Sequence, residues 1–538
     1  MKKKNFTDMK QQFSAWNKKN WPFVLFVVLN LIGVYFHECW RDEVQSLLIA
    51  KVATGPWDLI THTLRYEGHP ALWHLMLRYF TGSGVNPMGM QLLNSLLIIC
   101  TAAIFWWRFP LNFTLRALFM FNYFFVFEYG ILARSYTLGL FLFFFSIAFM
   151  DDPKKWLRTL SFIALLLMPQ TSIYGALIAC GLMAYRFMRE GESHIRPALW
   201  KGGLFLLSLG LAAWQMIPPA DGGFAPGWNV GINFGLGLEV LQRFGQVFLF
   251  IPQFNGFPLI WDSQPQLMST GIARVAFVLM LLGVMCWRLW VRDRKLLLGF
   301  LCGFVPFYLF CYSKYLGGLR HGAHLLFLVA GFYWIANRVR PWVLSQMQQI
   351  ILVCVATLSA VSGLTLWLAD VFYPFSDAKQ ASKVLRENRD FTIAWPDYIG
   401  STLSAYLDGR ELFYFEGMRK GTYVIWDANR GSTVPPSLED FEVWIKDRGM
   451  TSLIFATNNM QVAPFLAQRF LVDSLYKSTT CIVTDECYEI MRVSIIGARS
   501  GAQPNPKKIL HGPRDVANDP AKVSGEVHDE EAIKVEKK

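Results

Sequence analysis

The sequence predicts a polytopic α-helical membrane protein, with about eleven transmembrane helices and a small α/β domain at its C-terminal end. Its 538 residues are 53% hydrophobic and 17% charged, which is too apolar for a soluble protein of this length. The aromatic content of 16% suits side chains that face lipid or the membrane interface. The net charge of +12 lies in short loops between apolar runs, a pattern of membrane topology that excludes a nucleic-acid partner.

Apolar runs long enough to cross or nearly cross a bilayer define the helical part, residues 22–369. The aromatic stretch from Val247 to Ile260 is a further candidate for a re-entrant or spanning segment. The pattern therefore predicts about eleven membrane helices. The runs lie at 22–36, 89–107, 114–128, 136–150, 157–169, 172–187, 202–217, 271–290, 296–312, 322–337 and 348–369.

Positive charges predict the orientation of these helices, because Lys and Arg are retained on the cytoplasmic side of short loops. Residues 1–21 form a basic segment, with lysine at positions 2, 3, 4, 10, 18 and 19, and are expected in the cytoplasm. An odd number of crossings then leaves the C-terminal domain outside the cytoplasmic (inner) membrane. The loops that alternate as cytoplasmic on this assignment are 108–116, 154–158, 186–201, 288–295 and 338–340.

The first outward loop, residues 37–88, is too long to be a simple connection between two helices. Apolar residues recur at helical spacing over Arg41 to Lys51 and over Pro70 to Tyr79. We predict that these segments form two amphipathic helices along the membrane surface. A loop of this kind on a helical scaffold suits an active site that meets lipid head groups and water.

Two carboxylates, Asp42 and Glu43, follow the first membrane helix and are the candidate catalytic residues. Acidic residues at helix starts commonly stabilise the helix N-terminus, and on spacing alone this structural interpretation is the better one. The functional interpretation gains support from Glu67 and His69, which lie on the same predicted side of the membrane. A turn at His69 and Pro70 also fixes the backbone just before a helix. The sequence does not decide between Asp42 and Glu43.

Six of the nine histidines lie on or near predicted outward loops. Neutral imidazole and carboxylate are good ligands for divalent metals, so Glu67, His321 and His324 are candidate metal ligands. No fixed spacing of ligands supports such a site, and each histidine alone is as readily structural. A divalent metal cofactor is therefore left open.

Cationic residues at two outward helix ends form a third candidate group, which contains Arg134, Lys314 and Arg320, with His321 beside the last. Guanidinium groups there can hold a phosphate through two hydrogen bonds. The alternative is that long cationic side chains snorkel to the interface. The positive-inside rule disfavours cations at outward positions, so we expect a ligand or a carboxylate partner for them.

After about residue 370 the composition is that of a soluble protein, and residues 370–496 are predicted to form an extracytoplasmic α/β domain. Cys481 and Cys487 lie in this region, where a strand-turn-strand geometry allows either a disulfide or two free thiols. Residues 497–538 are rich in Pro, Lys and Glu and are predicted to be disordered. The predicted strands are 391–394, 411–415, 422–425 and 452–455, and the predicted helices are 378–386, 400–406 and 438–447.

Three motifs in this order resemble the polytopic membrane glycosyltransferases of the GT-C type, over about residues 20–340. They are the acidic pair after the first membrane helix, the sequence Glu-Gly-His-Pro-Ala-Leu-Trp-His-Leu at 67–75, and Ala-Arg-Ser-Tyr-Thr-Leu at 133–138. The branch that the chain resembles holds the protein O-mannosyltransferases and the lipid A aminoarabinose transferases. The chain departs from that pattern at Pro70-Ala71, where the family has two prolines.

The resemblance implies a GT-C-like fold and transfer of a sugar from a polyprenyl-phosphate donor to an extracytoplasmic acceptor, with inversion at the anomeric carbon. Asp42 would act as general base on the acceptor hydroxyl, with Glu43 as its neighbour or substitute. The other implied residues are Glu67 and His69 for orienting substrate or a metal, Arg134, Lys314 and Arg320 for the phosphate, and Tyr136 and His321 for substrate binding.

Two other functions are compatible with the sequence. A transporter or flippase for lipid-linked saccharides would carry charges near the bilayer midplane and discontinuous helices, whereas the charges here gather at one predicted surface. A non-catalytic subunit of envelope polymer assembly would tolerate loss of Asp42 without loss of transfer. The sequence identifies neither the sugar nor the acceptor, which can be a protein, a lipid or a glycan.

Overall fold

The computed structural model describes residues 6–223, 227–249, 261, 271–431 and 434–497, with side chains from residue 19 onward. The protein is mostly helical and has a small sheet domain at its C-terminal end. Each predicted apolar run meets at least part of a helix. The helices before the sheet domain are α1 (Phe6–Phe36), α2 (Arg41–Val52), α3 (Pro56–Asp58), α4 (Leu72–Phe80), α5 (Pro87–Arg108), α6 (Phe113–Met120), α7 (Ser135–Phe149), α8 (Lys155–Leu167), α9 (Ile173–Gly191), α10 (Ile195–Met216), α11 (Phe234–Phe248), α12 (Gly271–Arg292), α13 (Arg294–Ser313), α14 (Leu319–Val339) and α15 (Gln346–Phe372).

Within the described ranges, 6 helices are long and apolar enough to cross a membrane, which indicates a multi-pass membrane protein. The predicted number of about eleven is not confirmed. The run 136–150 forms a helix of 15 residues, α7, and the run 157–169 forms one of 13 residues, α8. Both are shorter than the roughly 20 residues that a span usually needs. The six helices are Lys19–Phe36 within α1, and α5, α10, α12, α13 and α15.

The predicted span over 114–128 is not one continuous helix. α6 ends at Met120, and a separate π-helical turn covers Phe124–Glu128. Between them the side chain of Asn122 accepts a hydrogen bond from the backbone N–H of Phe125 (3.0 Å). A polar side chain that satisfies a backbone donor locally favours a turn over a continuing helix. The chain therefore leaves the helical path just before the segment that leads to Arg134.

Glycines let the helices α9 and α13 approach closely. A Cβ atom added at Gly181 would lie 2.7 Å from the carbonyl oxygen of Gly299 and 3.0 Å from the backbone of Gly303. Small residues are the usual means of close helix packing inside a membrane, where lipid removes the hydrophobic driving force between helices. The contact holds α13 in place, and the end of α13 leads through a short turn into Arg320.

The short basic loops meet at the end of the helices that lies away from the first loop. Arg108 at the end of α5 donates to Asp152 (3.2 Å), and Arg189 at the end of α9 donates to Asp151 (2.6 Å). Arg338 at the end of α14 donates to the carbonyl of Ile147 (2.6 Å). Loops that were predicted to share one side of the membrane are therefore in contact with one another.

The first loop folds into the two predicted helices, α2 and α4, which cap each other. Lys51 Nζ donates to the carbonyl of Gly82 just after α4 (2.6 Å), and Arg78 Nη1 donates to the carbonyl of Ala53 just after α2 (2.6 Å). Cations at helix C-termini satisfy carbonyl groups that the helix leaves unpaired. The loop is therefore a compact pair of helices rather than a flexible connection.

The sequence did not predict the helix α11, which lies in the segment 218–270, a long loop that the charge pattern predicts on the outward side. Its N-terminus is capped by the side chain of Asn233. It packs on α13 through the stacked rings of Phe244 and Phe307, whose centres are 5.0 Å apart. The predicted re-entrant stretch 247–260 lies mostly outside the described residues.

The C-terminal domain is a mixed sheet between two layers of helices. Its elements are α16 (Ala378–Glu387), β1 (Thr392–Ala394), α17 (Tyr398–Tyr406), β2 (Leu412–Tyr414), β3 (Arg419–Gly421), α18 (Leu438–Asp447), β4 (Ser452–Thr457), α19 (Val462–Leu466), β5 (Phe470–Lys477) and β6 (Glu489–Ile495). The strand order is β3-β2-β1-β4-β6-β5, with β1 parallel to β2 and β4 and the other pairs antiparallel. One face of the sheet packs on α16 and α17, and the other packs on α18 and α19.

Most of the predicted elements of this domain are present, including the strands β1, β2 and β4 and the helices α16, α17 and α18. The predicted strand 422–425 is wrong, because β3 ends at Gly421. Val424 instead donates its backbone N–H to the side chain of Gln45 in the first loop (3.2 Å), a tertiary contact that a local pattern cannot reveal. The strands β5 and β6 were not predicted, and the predicted tail lies almost entirely outside the described residues.

Cys481 and Cys487 form a disulfide, one of the two alternatives that the sequence left open. The loop between them packs on the linker after α15, where the N–H of Val483 donates to the carbonyl of Phe375 (3.1 Å). The ring of Phe375 lies edge to face with that of Trp40 in the first loop. The C-terminal domain and the first loop therefore lie on the same side of the helical part.

Candidate active site

Asp42 lies at the centre of a group of three arginines. Its carboxylate forms an ion pair with Arg134, and it lies 3.5 Å from Nη2 of Arg320 and 3.9 Å from Nε of Arg41. One carboxylate therefore faces three guanidinium groups, of which that of Arg41 also forms an ion pair with Asp485. We refer to Asp42, Arg41, Arg134 and Arg320 as the arginine cluster.

The ends of three helices bring the arginine cluster together. Asp42 is in the first turn of α2, Arg134 is the residue that precedes α7, and Arg320 is in the first turn of α14. Helix N-termini carry unpaired backbone N–H groups and the positive end of the helix dipole, which together favour a nearby anion. Since the three helices are far apart in the sequence, the cluster exists only in the folded protein.

Two tryptophans orient the guanidinium group of Arg320. Its Cζ lies 5.3 Å from the ring centre of Trp40 and 5.5 Å from that of Trp261. The two rings contact each other edge to face, with their centres 4.8 Å apart, and the indole N–H of Trp261 donates to Glu128 (3.0 Å). Cation–π contacts of this kind are strongest where water is excluded, so Arg320 is held in place before any ligand binds.

The arginines decide the ionisation of Asp42. Burial alone would raise the pKa of this carboxyl, but Arg134, Arg320 and Arg41 together lower it to about 2. The side chain of Asp42 is 22% exposed and that of Arg134 is 14% exposed. The cluster is therefore ionised at neutral pH and can still be reached from outside the protein.

His69 lies close enough to the arginine cluster for its pKa to be affected by it. Burial and the nearby Arg134 guanidinium lower the pKa of His69 to about 4, so the imidazole is neutral at pH 7. The chain turns just before it at Gly68, whose φ of +65° is a conformation that glycine adopts without strain. A neutral imidazole has one donor and one acceptor nitrogen, which suits hydrogen bonding to a sugar or a phosphate.

Glu43 has an entirely different environment from that of its neighbour Asp42. It is fully buried, and its Oε1 accepts a hydrogen bond from the backbone N–H of Ala133 (2.6 Å). Its Oε2 accepts a hydrogen bond from the N–H of Trp40 (3.1 Å), which caps α2. The predicted role of Glu43 as a substitute base does not fit this environment, because its oxygens are occupied and inaccessible.

His37 connects Glu43 to a second buried carboxylate. Its Nε2 lies 3.0 Å from Oε2 of Glu43, and its Nδ1 lies 2.9 Å from Oδ2 of Asp370 near the end of α15. Donor atoms of His37, Cys39 and Glu43 also lie within 4.8 Å of one another, as they would around a metal ion. We refer to Glu43, His37 and Asp370 as the carboxylate–histidine cluster.

The structure does not bring the predicted metal ligands Glu67, His321 and His324 together among the residues it describes. Glu67 accepts a hydrogen bond from Gln45 (2.8 Å), which also bonds to the C-terminal domain at Val424. Its described contact thus serves the docking of the two parts of the chain. The prediction of a metal at these three residues gains no support from the fold.

Tyr136 and His321 are paired with each other beside the arginine cluster. The hydroxyl of Tyr136 lies 2.9 Å from Nε2 of His321, and the N–H of Gly318 donates to Nδ1 of the same ring (2.9 Å). Since Nδ1 accepts, Nε2 carries the proton and donates to the hydroxyl oxygen. The ring centre of Tyr136 lies 5.6 Å from Cζ of Arg134, so the pair supports the arginine from one side.

Lys314 contacts the segment before α11, whereas the sequence predicted that it would lie with Arg134 and Arg320. Its Nζ donates to the carbonyl of Gly227 (3.2 Å) and lies 5.8 Å from the ring centre of Trp228. The predicted group of three phosphate-binding cations is therefore divided, with Arg134 and Arg320 at Asp42 and Lys314 at the segment before α11.

Arg41 was not among the predicted site residues, yet it connects the arginine cluster to the C-terminal domain. Its side chain forms an ion pair with Asp485, and its backbone N–H donates to Glu486 (3.1 Å). Its Cζ also lies 4.6 Å from the ring centre of Tyr398. One signal was available in the sequence, because Arg41 is a cation on the predicted outward side, where the positive-inside rule disfavours it.

Asp370 was also missed as a partner of the site, whereas His37 was one of the six histidines placed on or near outward loops. The available signal was an acidic residue at the very end of a predicted membrane helix, since ionisable groups in such places are usually paired and functional. The sequence gives no means of pairing Asp370 with His37 across the chain. No protein-family model matches the chain, and no curated protein matches it either.

Proposed function

We propose that the protein is a membrane glycosyltransferase that moves a sugar from a polyprenyl-phosphate donor to an acceptor outside the cytoplasmic membrane, with inversion. The observation that carries the proposal is the arginine cluster, in which a partly exposed carboxylate lies beside guanidinium groups that outnumber it. The reaction needs a general base next to a phosphate-binding group, and the cluster holds both. The motifs that resemble those of GT-C glycosyltransferases support the same assignment.

In the proposed reaction the acceptor hydroxyl attacks the anomeric carbon of the donor. The bond from that carbon to the phosphate oxygen breaks while the bond to the acceptor oxygen forms, and the hydroxyl proton passes to the carboxylate of Asp42. The electron pair of the broken bond stays on the phosphate, where Arg134 and Arg320 stabilise the added negative charge. Attack from the side opposite the leaving group inverts the configuration at the carbon.

Donor binding is also expected to make Asp42 more basic. With the pKa of Asp42 at about 2 in the ligand-free protein, the carboxylate is a weak base at neutral pH. A donor phosphate that engages Arg134 and Arg320 draws these cations away from the carboxylate and adds a negative charge nearby. Both changes raise the pKa, so Asp42 becomes an effective base when the donor is in place.

The lipid part of the donor needs an apolar surface next to the site. A groove of about 380 Å³ between α11, α12 and α13 is lined mainly by apolar side chains, among them Leu241, Leu282 and Phe304. The C-terminal end of α11 also contacts the N-terminal end of α14. The two helices are so close there that a Cβ added at Gly322 would lie 2.8 Å from the side chain of Val247. We assign this groove to isoprenoid units of the donor.

Sugar transfer by Asp42→Asn tests the proposed function. Liposomes that contain equal amounts of wild type or variant are supplied with radiolabelled polyprenyl-phosphate sugars and a membrane extract as the source of acceptors. We expect transfer by the wild type and a loss of about 10²–10⁴-fold in the variant, because a general base contributes that much. Asp58→Asn is the matched control, since Asp58 lies in the same loop and accepts a hydrogen bond from Thr54 (2.8 Å) outside the cluster.

The outcomes distinguish the assignment of Asp42 as the general base from the assignment of the protein as a glycosyltransferase. Equal transfer by the wild type and Asp42→Asn would contradict the assignment of the base. No transfer by the wild type from any donor would contradict the glycosyltransferase function and favour a transporter of lipid-linked saccharides.

A further inference from the structure

We propose that Asp370, His37 and Glu43 form a positioning relay that holds the backbone at Ala133 and thereby sets the place of the Arg134 guanidinium against Asp42. For the role of Arg134 the inference rests on the proposed function, whereas the relay itself is a property of the fold. None of the three relay residues touches the substrate in this assignment; they act through Arg134.

The first step of the relay is the contact between Glu43 and Ala133. The N–H of Ala133 donates to Oε1 of Glu43 across 2.6 Å inside the protein. A hydrogen bond to an ionised carboxylate is short, strong and directional. Arg134 is the next residue and has extended backbone angles just before α7. A shift of the Glu43 carboxylate is therefore passed directly to the backbone that carries the guanidinium.

The second step is the contact between His37 and the two carboxylates. A fully buried carboxylate needs a cation or several donors, because losing its water shell is unfavourable. Burial alone lowers the pKa of His37, but Asp370 and Glu43 together raise it to about 10. The ring is therefore an imidazolium at neutral pH, and both of its nitrogens donate. This fixes the rotation of the ring and the position of Glu43 at once.

The third step connects the relay to the rest of the chain. Asp370 lies in the last turn of α15, which ends at Phe372 and leads into the linker to the C-terminal domain. Phe375 of this linker packs on the His37 ring, with the ring centres 4.9 Å apart. The carbonyl of His37 also accepts a hydrogen bond from Gln91 of α5 (3.1 Å). The relay thus joins α15 and the linker to the turn that carries Arg134.

A metal ion is the competing explanation for this cluster. The thiol of Cys39 belongs to the same group of donor atoms within 4.8 Å. A metal bound there would have to displace the proton between Nε2 of His37 and Glu43, which are already 3.0 Å apart. Since both ring nitrogens of His37 lie at hydrogen-bond distance from carboxylates, the geometry favours protons over a metal.

Hydrogen–deuterium exchange tests the relay without any substrate. Mass spectrometry on the full chain in lipid nanodiscs follows the peptide that contains Ala133, whose amide Glu43 protects. Asp370→Asn and His37→Gln leave Glu43 in place but break the relay, so exchange at Ala133 should become about tenfold faster or more. Asp58→Asn is the matched control, because it removes a carboxylate of the same loop that accepts a hydrogen bond from Thr54 (2.8 Å) away from the relay, and exchange should stay the same.

Two results of this experiment would overturn the relay. One is unchanged exchange at Ala133 in both Asp370→Asn and His37→Gln. The other is about one zinc ion for each wild-type chain, lost in Cys39→Ser and kept in Cys311→Ser, since His37 would then be a metal ligand. Cys311 is the matched control because it is equally buried and lies far along the chain from the cluster.

A double-mutant cycle tests whether the relay acts through Arg134. The affinity for a long-chain polyprenyl monophosphate is measured for the wild type, Glu43→Gln, Arg134→Ala and the double variant. We expect Glu43→Gln to weaken binding about tenfold in the wild type and less than about twofold with Arg134→Ala. Equal losses in both backgrounds would overturn the positioning role. Asp370→Asn replaces Glu43→Gln in the cycle if that variant does not fold.

The two proposals fail in different ways. A wild-type protein that neither binds polyprenyl monophosphate nor transfers sugar contradicts the proposed function. Faster exchange at Ala133 in Asp370→Asn would still support the relay in that case, because it is measured without a ligand.

Discussion

The carboxylates Asp42 and Glu43 are neighbours in the sequence but belong to opposite kinds of charge cluster. Asp42 is partly exposed and faces three arginines. Glu43 is fully buried, and in its cluster two carboxylates share one histidine. Helix geometry explains the difference, since adjacent residues on an α-helix point about 100° apart. One of them faces the open side of α2 and the other faces the interior.

The two environments show how one helix, α2, can carry a reactive carboxylate, Asp42, and beside it a carboxylate, Glu43, that holds the neighbouring backbone in place. A cluster in which guanidinium groups meet at a surface that can be reached from outside suits the binding of an anionic ligand. A cluster that is fully buried, in which one imidazolium lies between two carboxylates, is closed to a ligand and serves the fold. Experiments that change one cluster at a time can therefore separate loss of stability from loss of function.

Glu43→Ala is expected to have the largest effect on stability. The variant leaves the N–H of Ala133 without its carboxylate partner inside the protein, and the His37 imidazolium keeps only Asp370 of its two carboxylates. The lost hydrogen bonds to a charged group and the cavity left by the side chain together cost about 3–5 kcal/mol. Thermal unfolding of the purified protein in nanodiscs measures the loss, with Asp42→Asn as the comparison. Equal losses in the two variants would mean that the clusters do not differ in kind.

Arg320→Ala and Arg134→Ala are expected to have the next largest effect, this time on ligand binding. A hydrogen bond to a charged group contributes about 1.5–3 kcal/mol, so each variant should bind polyprenyl monophosphate about 10–100-fold more weakly. Arg65→Ala is the control, because Arg65 lies in the same loop and donates to the carbonyl of Ile217 (2.8 Å). A similar loss in the control would show that net charge, not the cluster, determines binding.

The sequence predicted the residues and helices of this site better than it predicted the contacts between them. Helix periodicity predicted α2 and α4, and the positive-inside rule marked Arg134 and Arg320 as unusual cations. The choice between Asp42 and Glu43 depends on how α2 is rotated against α15 and on the distant Asp370. Such contacts leave no local pattern. The break at Asn122 was missed for a similar reason, since the run around it is uniformly apolar.

The pH dependence of stability should distinguish the arginine cluster from an exposed carboxylate. The pKa of Asp42 is lowered from 3.8 to about 2 by folding, so its ionised form stabilises the folded state above about pH 4, and this contribution disappears as the pH falls through about 2. With a discount for partial exposure, we expect about 1–2 kcal/mol at pH 7 and about half of that at pH 3. The difference in melting temperature between wild type and Asp42→Asn measures this contribution. A difference that grows as the pH falls would contradict the sign.

Asp485→Asn should have a smaller effect, with a defined direction. Asp485 pairs with Arg41 at the edge of the arginine cluster. Removing its negative charge leaves Arg41 more available to an anion, and an ion pair of this exposure is worth about 0.2–1 kcal/mol. We therefore expect affinity for polyprenyl monophosphate to rise about 1.5–5-fold. A fall in affinity would show instead that Asp485 is needed to position Arg41.

Lys314→Ala is expected to have the smallest effect on affinity for polyprenyl monophosphate. The variant tests whether the phosphate site extends beyond the arginine cluster. Lys314 contacts Gly227 and Trp228 rather than Asp42, and water and salt screen a cation that is not in direct contact with the ligand. Affinity for polyprenyl monophosphate should change by less than about twofold. A loss as large as that of Arg134→Ala would place Lys314 in the phosphate site and extend the cluster to the segment before α11. In that case the phosphate site would cover a wider surface than the three helix ends at Asp42.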